Sequence, residues 1–195
     1  FNDVSVTYDG EVHSVEVTNL PEEVSVSYEN NDKSDANTYL VTAHFVGDEN
    51  NYNEIPDKTA VLTILKSDIT GITFNGKTVT YNNEIHSLSI NGMLPEGVSV
   101  TYSNNDQINA GTYAVIAHFV STNNNYNDLP DMVASLIIVK SDIEGISFVG
   151  KNVTYNGEIH SIAIEGVLPD GVSVSYTNNS QTNAGTYNVI AHFES

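Results

Sequence analysis

The stretch "AGTYAVIAHF" at residues 110–119 sets Tyr113, Val115, Ala117 and Phe119 on one side and Thr112, Ala114, Ile116 and His118 on the other. Alternation with a period of two places successive side chains on opposite faces of an extended chain, so this decapeptide reads as a strand with one face toward a core. It recurs as "ANTYLVTAHF" at 36–45 and as "AGTYNVIAHF" at 184–193. A period of roughly 74 residues that keeps its aromatics and turn residues in place means that one small module has been copied. Copy number, and with it length or valence, is then part of what the chain supplies.

Working outward, "YDGEVHSVEV" from Tyr8, "YNNEIHSLSI" from Tyr81 and "YNGEIHSIAI" from Tyr155 align on their histidines. Each is followed by Leu-Pro and then by a strand of Val-Ser-Val-x-Tyr type. The second copy predicts strands over Gly71–Phe74, Lys77–Tyr81, Ile85–Ile90, Val98–Ser103, Thr112–Val120 and Val133–Val139. No segment of useful length carries helical periodicity, so the chain is expected to be all-β. Leu-Pro-Glu-Gly at 94–97 and Leu-Pro-Asp-Gly at 168–171 set a proline with fixed φ beside a glycine that tolerates positive φ, a turn chemistry. The first copy has Glu23 at the glycine position. Gly111 and Gly185 correspond to Asn37, and these residue types predict left-handed backbone at all three positions.

"Lys-Ser-Asp-Ile" follows the closing strands at 66–69 and 140–143. The modules are therefore expected at 1–66, 67–140 and 141–195, the first clipped at its N-terminus and the third at its C-terminus. The third ends before any counterpart of 133–139, which is expected to leave an open strand edge. Neither junction is a Gly/Ser tract, so each final strand should run almost directly into the next module and limit bending.

Asp and Glu number 25 against 6 Lys and no Arg, a formal net charge of −19. That field repels nucleic acid phosphates and anionic lipid and disfavours lateral association, so a monomer without nucleic acid or membrane contact is expected. Cysteine is absent, which excludes disulfides and Cys-based metal or redox sites. The chain has no signal peptide, no membrane-length apolar run and no polybasic segment.

Ala-Gly-Thr-Tyr-x-Val resembles the start of strand F in immunoglobulin-like sandwiches. On that resemblance Tyr39, Tyr113 and Tyr187 are corner tyrosines whose hydroxyls return to nearby backbone, and Val41, Val115 and Val189 take the place antibody domains give to cysteine. The ordered set "VTYDG" or "VTYNG", His-Ser, Leu-Pro-x-Gly-Val, Ala-Gly-Thr-Tyr, Asn-Tyr and Pro-Asp, with a closing apolar strand before Lys-Ser-Asp, resembles the MBG/YDG-type repeats of bacterial cell-surface adhesins. The resemblance covers nearly the whole chain. It implies tandem immunoglobulin-like β-sandwich repeats in an elongated array, extracellular on the bacterial surface and wall-anchored through segments outside this fragment.

Candidate chemistry is thin. Six histidines fall at two repeated positions, His13, His86 and His160, and His44, His118 and His192. No His-x-His or His-x3-His spacing converges them on a zinc ion, so they read as hydrogen-bonded structural residues, with His118 pointing outward. The loop of Asp48, Glu49, Asn50, Asn51, Tyr52, Asn53 and Glu54 with Asp57 carries oxygen ligands suited to calcium. The second copy keeps only Asp128 and Asp131 of those acids, so a repeated calcium site is not expected; the junction acids Asp68 and Asp142 leave room for weak binding. A Lys–Asn isopeptide crosslink needs a buried lysine, and neither Lys77 and Lys151 nor Lys66 and Lys140 recur with an inward pattern. Tyr28, Tyr102 and Tyr176 share the apolar face of their strands and read as core instead of sugar platforms. No nucleophile elbow or phosphate loop is present. No catalytic, cofactor or metal residue is assigned, no cofactor is expected, and the chain is not expected to be an enzyme. Its expected function is a stalk or spacer that projects a distal binding domain, with neighbouring domains of the same protein as partners. The alternative is a set of adhesive modules that bind glycan or host protein through Asn- and Tyr-rich loops such as 123–128.

Overall fold

A computed structural model describes residues 1–48, 50–51 and 53–195, and these form two compact units, Phe1–Val139 and Lys140–Ser195. No helix occurs among the described residues. The chain is all-β with several sheets, consistent with a β-sandwich.

Phe1–Val139 contains the same four-stranded sheet twice. The first is built from β1 (Val4–Thr7), β2 (Ser25–Glu29), β3 (Asn37–Val46) and β4 (Lys58–Leu65) in the order β1-β4-β3-β2. Next along the chain come β5 (Thr73–Phe74), β6 (Lys77–Thr80), β7 (Ile90–Asn91), β8 (Val98–Ser103), β9 (Gly111–Ser121) and β10 (Met132–Val139), with the second sheet ordered β6-β10-β9-β8 and β5 paired to β7. In both sheets the closing strand is central. It runs parallel to the first strand, with Val4 opposite Leu62 and Lys77 opposite Leu136, and antiparallel to the long third strand. A strand hydrogen-bonded on both sides can face the core with every second residue, and Ala60, Leu62 and Ile64 do so, as do Ala134, Leu136 and Ile138. Val41 and Val115 are fully buried in the two clusters, whereas Val189 is only partly buried. Lys140–Ser195 contains β11 (Ser173–Thr177) and β12 (Ile190–Glu194), paired antiparallel.

The layer opposite each sheet departs from the expected ladder. Ile85–Ile90 forms no strand apart from Ile90; His86 makes an isolated bridge to Gln107. An asparagine side chain substitutes for the missing strand. Leu88 N–H donates to Asn105 Oδ1 at 2.9 Å, and Asn105 Nδ2 donates back to Leu88 C=O at 2.9 Å. Asn31 holds Val15, and Asn179 holds Ile162, in the same two-bond way. A primary amide offers one acceptor and two donors in a plane, so it can satisfy the backbone of one buried residue without a second strand. Val15 and Leu88 are thereby set into their cores at 1% and 6% exposure.

The expected left-handed backbone at Asn37, Gly111 and Gly185 is not found. At the last two a side chain would crowd the corner tyrosine, although Asn37 carries one at the first. A Cβ on Gly111 would lie 3.0 Å from the Tyr113 ring and hydroxyl, and one on Gly185 would lie 3.1 Å from the Tyr187 hydroxyl. Positive φ falls instead on Gly97 and Gly171 of the Pro-x-Gly turns, closed by Val98 N–H to Pro95 C=O and Val172 N–H to Pro169 C=O, each 3.1 Å. It also falls on the Asn and Asp residues that end the Val-x-Val-x-Tyr strands, among them Asn30, Asp32, Asn104 and Asp106. The asparagine side chains bond backbone across the turn, as Asn30 Nδ2 does to Leu40 C=O and Asn104 Nδ2 to Ala114 C=O, each at 3.0 Å.

Candidate functional site

The polar groups that converge from different repeats lie within Phe1–Val139, where the loop after β9 meets the first sheet. Local chemistry shapes this loop. Asn125 N–H donates to Asn123 Oδ1 at 2.9 Å, an Asx-type turn, and Asn123 N–H donates to Ser121 Oγ at 3.1 Å. Asn123 Nδ2 reaches Glu96 C=O at 2.9 Å and Thr122 N–H reaches Gly97 C=O at 2.8 Å, so the Pro95–Val98 turn supports the loop from behind.

Held in this way, three consecutive residues grip the first repeat and the Ser67–Asp68 segment that follows it. Asn125 Oδ1 accepts Ala36 N–H at 2.6 Å while its Nδ2 donates to Asp35 Oδ1 at 3.0 Å. The Tyr126 ring packs edge-on against Tyr8, with centroids 5.4 Å apart. Asn127 Nδ2 donates to Asp68 Oδ1 at 2.7 Å. The backbones also pair: Ser67 N–H donates to Asn125 C=O and Asn127 N–H to Ser67 C=O, both at 2.9 Å. The corner tyrosine serves this joint directly, because Tyr39 Oη donates to Asp35 C=O at 2.9 Å and so positions the residue that Asn125 holds. An open groove of about 500 Å³ runs beside it past Asp35, Glu96 and Asn123. Water therefore competes for these bonds, and each is worth roughly 0.5–1.5 kcal/mol net.

The other candidate residues have structural partners. Tyr113 and Tyr187 donate to the carbonyls of Asn109 and Asn183 at 2.9 and 3.0 Å, the corner bond expected of them. Tyr28 and Tyr102 pack against the two cores, and Tyr28, Tyr102 and Tyr176 accept backbone N–H from Val17, Ile90 and Ile164 at 2.8–2.9 Å. His13, His86 and His160 each bond through Nε2 to the side chain four residues before, Asp9, Asn82 and Asn156, at 2.8–2.9 Å. His44 and His118 sit on the outer face, with Nδ1 at 2.8 and 2.7 Å from Asp57 and Asp131. His192 Nε2 bonds Thr177 Oγ1 at 2.7 Å.

Asp9 is held below its ordinary carboxylate range by the Glu11 N–H first and the His13 ring second. Asp48 is lowered by the Asn50 N–H and then by the Asn51 amide. Glu49 and Tyr52 of the proposed oxygen-rich loop lie outside the described residues; among the described residues no three His, Cys, Asp or Glu converge on one point. Lys66, Lys77, Lys140 and Lys151 are all exposed. Sequence reasoning marked 123–128 as a possible ligand loop and missed its role in the joint. The available signal was Asn-Tyr-Asn at 51–53 and again at 125–127, beside repeated Lys-Ser-Asp.

Residues 1–68 match the family model of the MBG domain, so the first repeat is an MBG-type repeat, as its motifs suggested. This is a repeat domain of surface-type proteins. No curated protein matches the chain.

Proposed function

We propose that this chain is a non-catalytic stalk segment of a bacterial surface adhesin, a series of immunoglobulin-like modules that holds a distal binding domain away from the cell. The observation that carries this reading is the Asn125–Asn127 clamp. The Asn- and Tyr-bearing loop that could have met a glycan is spent on the preceding repeat, through Asp35, Ala36 and Tyr8, and on the connecting residues Ser67 and Asp68. Resistance to bending at such a junction turns copy number into reach. The neighbouring domains of the same protein are then the partners, and the charge of −19 keeps adjacent stalks apart.

Small-angle scattering on two-repeat and three-repeat chains tests the proposal. A stalk gives a maximum dimension that grows linearly with copy number and is unchanged by chelation, and it shows no glycan or host-protein binding. Binding that rises steeply with valence and is abolished by Tyr126→Ala in a folded chain would replace it with the adhesive reading.

A further inference from the structure

The sequence contains three Asn-Gly pairs, at 75–76, 91–92 and 156–157. In such a pair no side chain on the second residue keeps its backbone nitrogen from the asparagine Cγ, so the amide can be lost without an enzyme. The fold treats the three differently. Gly76 lies so close to the Ser135 backbone that a Cβ on it would come within 2.7 Å of the carbonyl oxygen, and Gly92 is packed in the same way against Gly71 C=O. Asn91 is also held in β7, opposite Thr73.

Asn156 is instead folded over its own following backbone. Its Oδ1 accepts Glu158 N–H at 3.0 Å, an Asx turn whose hydrogen-bonded ring encloses the Gly157 nitrogen. An amide oxygen only accepts, so His160 Nε2, 2.9 Å from the same Oδ1, is a donor to it. Two donors on one carbonyl oxygen withdraw electron density from Cγ and hold the negative charge that attack at Cγ places on that oxygen. Asn156 and Gly157 are both exposed, so water reaches the pair.

The other two repeats carry the same turn in different chemical states. Asn82 Oδ1 accepts Glu84 N–H at 3.0 Å and sits 2.8 Å from His86 Nε2, but the next residue is Asn83, whose side chain stands beside the nitrogen that would attack. In the first repeat the pair is Asp9-Gly10. The Asp9 carboxylate occupies the place of the amide, with Glu11 N–H at 2.8 Å and His13 Nε2 at 2.9 Å. A Cβ on Gly10 would meet nothing within 4 Å, so this turn is open in a repeat whose closing strand is in place. The second repeat thus shows a blocked form, and the first shows the carboxylate accommodated.

We propose that Asn156 is a self-modification site, where Asn156-Gly157 cyclises and hydrolyses to set a carboxylate beside His160. The Gly157 nitrogen passes its proton to water and bonds to Asn156 Cγ; the Cγ–Nδ2 bond breaks, and Nδ2 takes a proton from water and leaves as ammonia. Water then opens the succinimide ring. Cleavage of its Cγ–N bond leaves aspartate in an unaltered main chain, and cleavage at the main-chain carbonyl leaves the isoaspartyl linkage. In sum, amide and water become carboxylic acid and ammonia, and no other reactant is needed. The aspartyl product gives the third repeat the Asp9-type turn of the first and adds one negative charge to the formal −19.

The test holds the full folded chain at neutral pH in heavy-oxygen water and reads residues 75, 91 and 156 by peptide mass spectrometry. Heavy oxygen should enter at residue 156 at least about tenfold faster than at 75 or 91, whose backbones must first leave their packed positions. In urea the three sites should react at similar rates, because the difference between them lies in the fold. Gly157→Asn recreates the second repeat's pair and keeps the turn, since Asn83 already holds a φ of 63° there. It should slow the reaction at least about tenfold. His160→Ala removes one donor from Oδ1 and should slow the reaction several-fold in the folded chain while leaving the rate in urea unchanged. No heavy oxygen at residue 156, equal incorporation at 75 or 91 in the folded chain, or an unchanged folded-state rate in either variant would overturn the proposal.

Discussion

Asn125 accepts the Ala36 backbone N–H at 2.6 Å across the joint between the first two repeats. One side chain thus completes the backbone of a neighbouring module, and the same amide reaches Asp35. Asn125→Ala removes both bonds and leaves the two cores untouched. The expected result is exchange of the Ala36 amide faster by about tenfold, together with a wider spread of inter-repeat orientations in residual dipolar couplings. An unchanged Ala36 amide would show that the bond does not persist in solution.

Asn105→Ala leaves the Leu88 N–H and C=O without partners beside a buried side chain. A loss of about 2–3 kcal/mol is expected in denaturant unfolding of Phe1–Val139. Asn104→Ala, which removes an exposed bond to Ala114 C=O and a long one from Gln107 Nε2 and puts alanine at positive φ, should still cost less than Asn105→Ala. Equal costs would mean that the paired amide is not what seats Leu88.

Leu136→Ala truncates a fully buried side chain at the centre of the second sheet. The expected cost is about 2–5 kcal/mol, from lost transfer free energy and the cavity left behind. Ser135→Ala, one residue away on the exposed face, should fall within about 0.5 kcal/mol of the unaltered protein. Thermal or urea unfolding compares the two directly.

The Asp9 carboxyl should titrate with a midpoint below its ordinary value of 3.8 when followed by carbon chemical shifts. Because the folded state binds this proton less readily than the unfolded chain, the contact contributes above that ordinary value and is lost as pH falls through the lowered midpoint. Asp9→Asn, the residue present at the equivalent positions 82 and 156, should keep the His13 bond and remove this acid response. A midpoint at or above 3.8 would contradict the Glu11 N–H as its cause.

Much of the fold was legible because it is local. Tyr113, Val115 and Ala117 share a face through the period of two alone, and the bond from Tyr113 to Asn109 spans only four residues. The Pro95-to-Val98 turn followed from residue chemistry in the same way. Gly111 was misread because glycine answers two different needs, positive φ and absence of a side chain; only the position of the Tyr113 ring separates them.

The sequence by itself determined the repeat, the long strands, the corner tyrosines and the side of those strands that faces inward, since all of these depend on residues within a few positions of one another. Tertiary structure alone decided that β4 and β10 run parallel to β1 and β6, that Asn105 replaces a strand for Leu88, and that Asn125 belongs to the preceding repeat. Those outcomes depend on which distant segments meet. An asparagine amide offers the same donors and acceptor wherever it stands, so its role is set by the backbone that folding brings within hydrogen-bond reach.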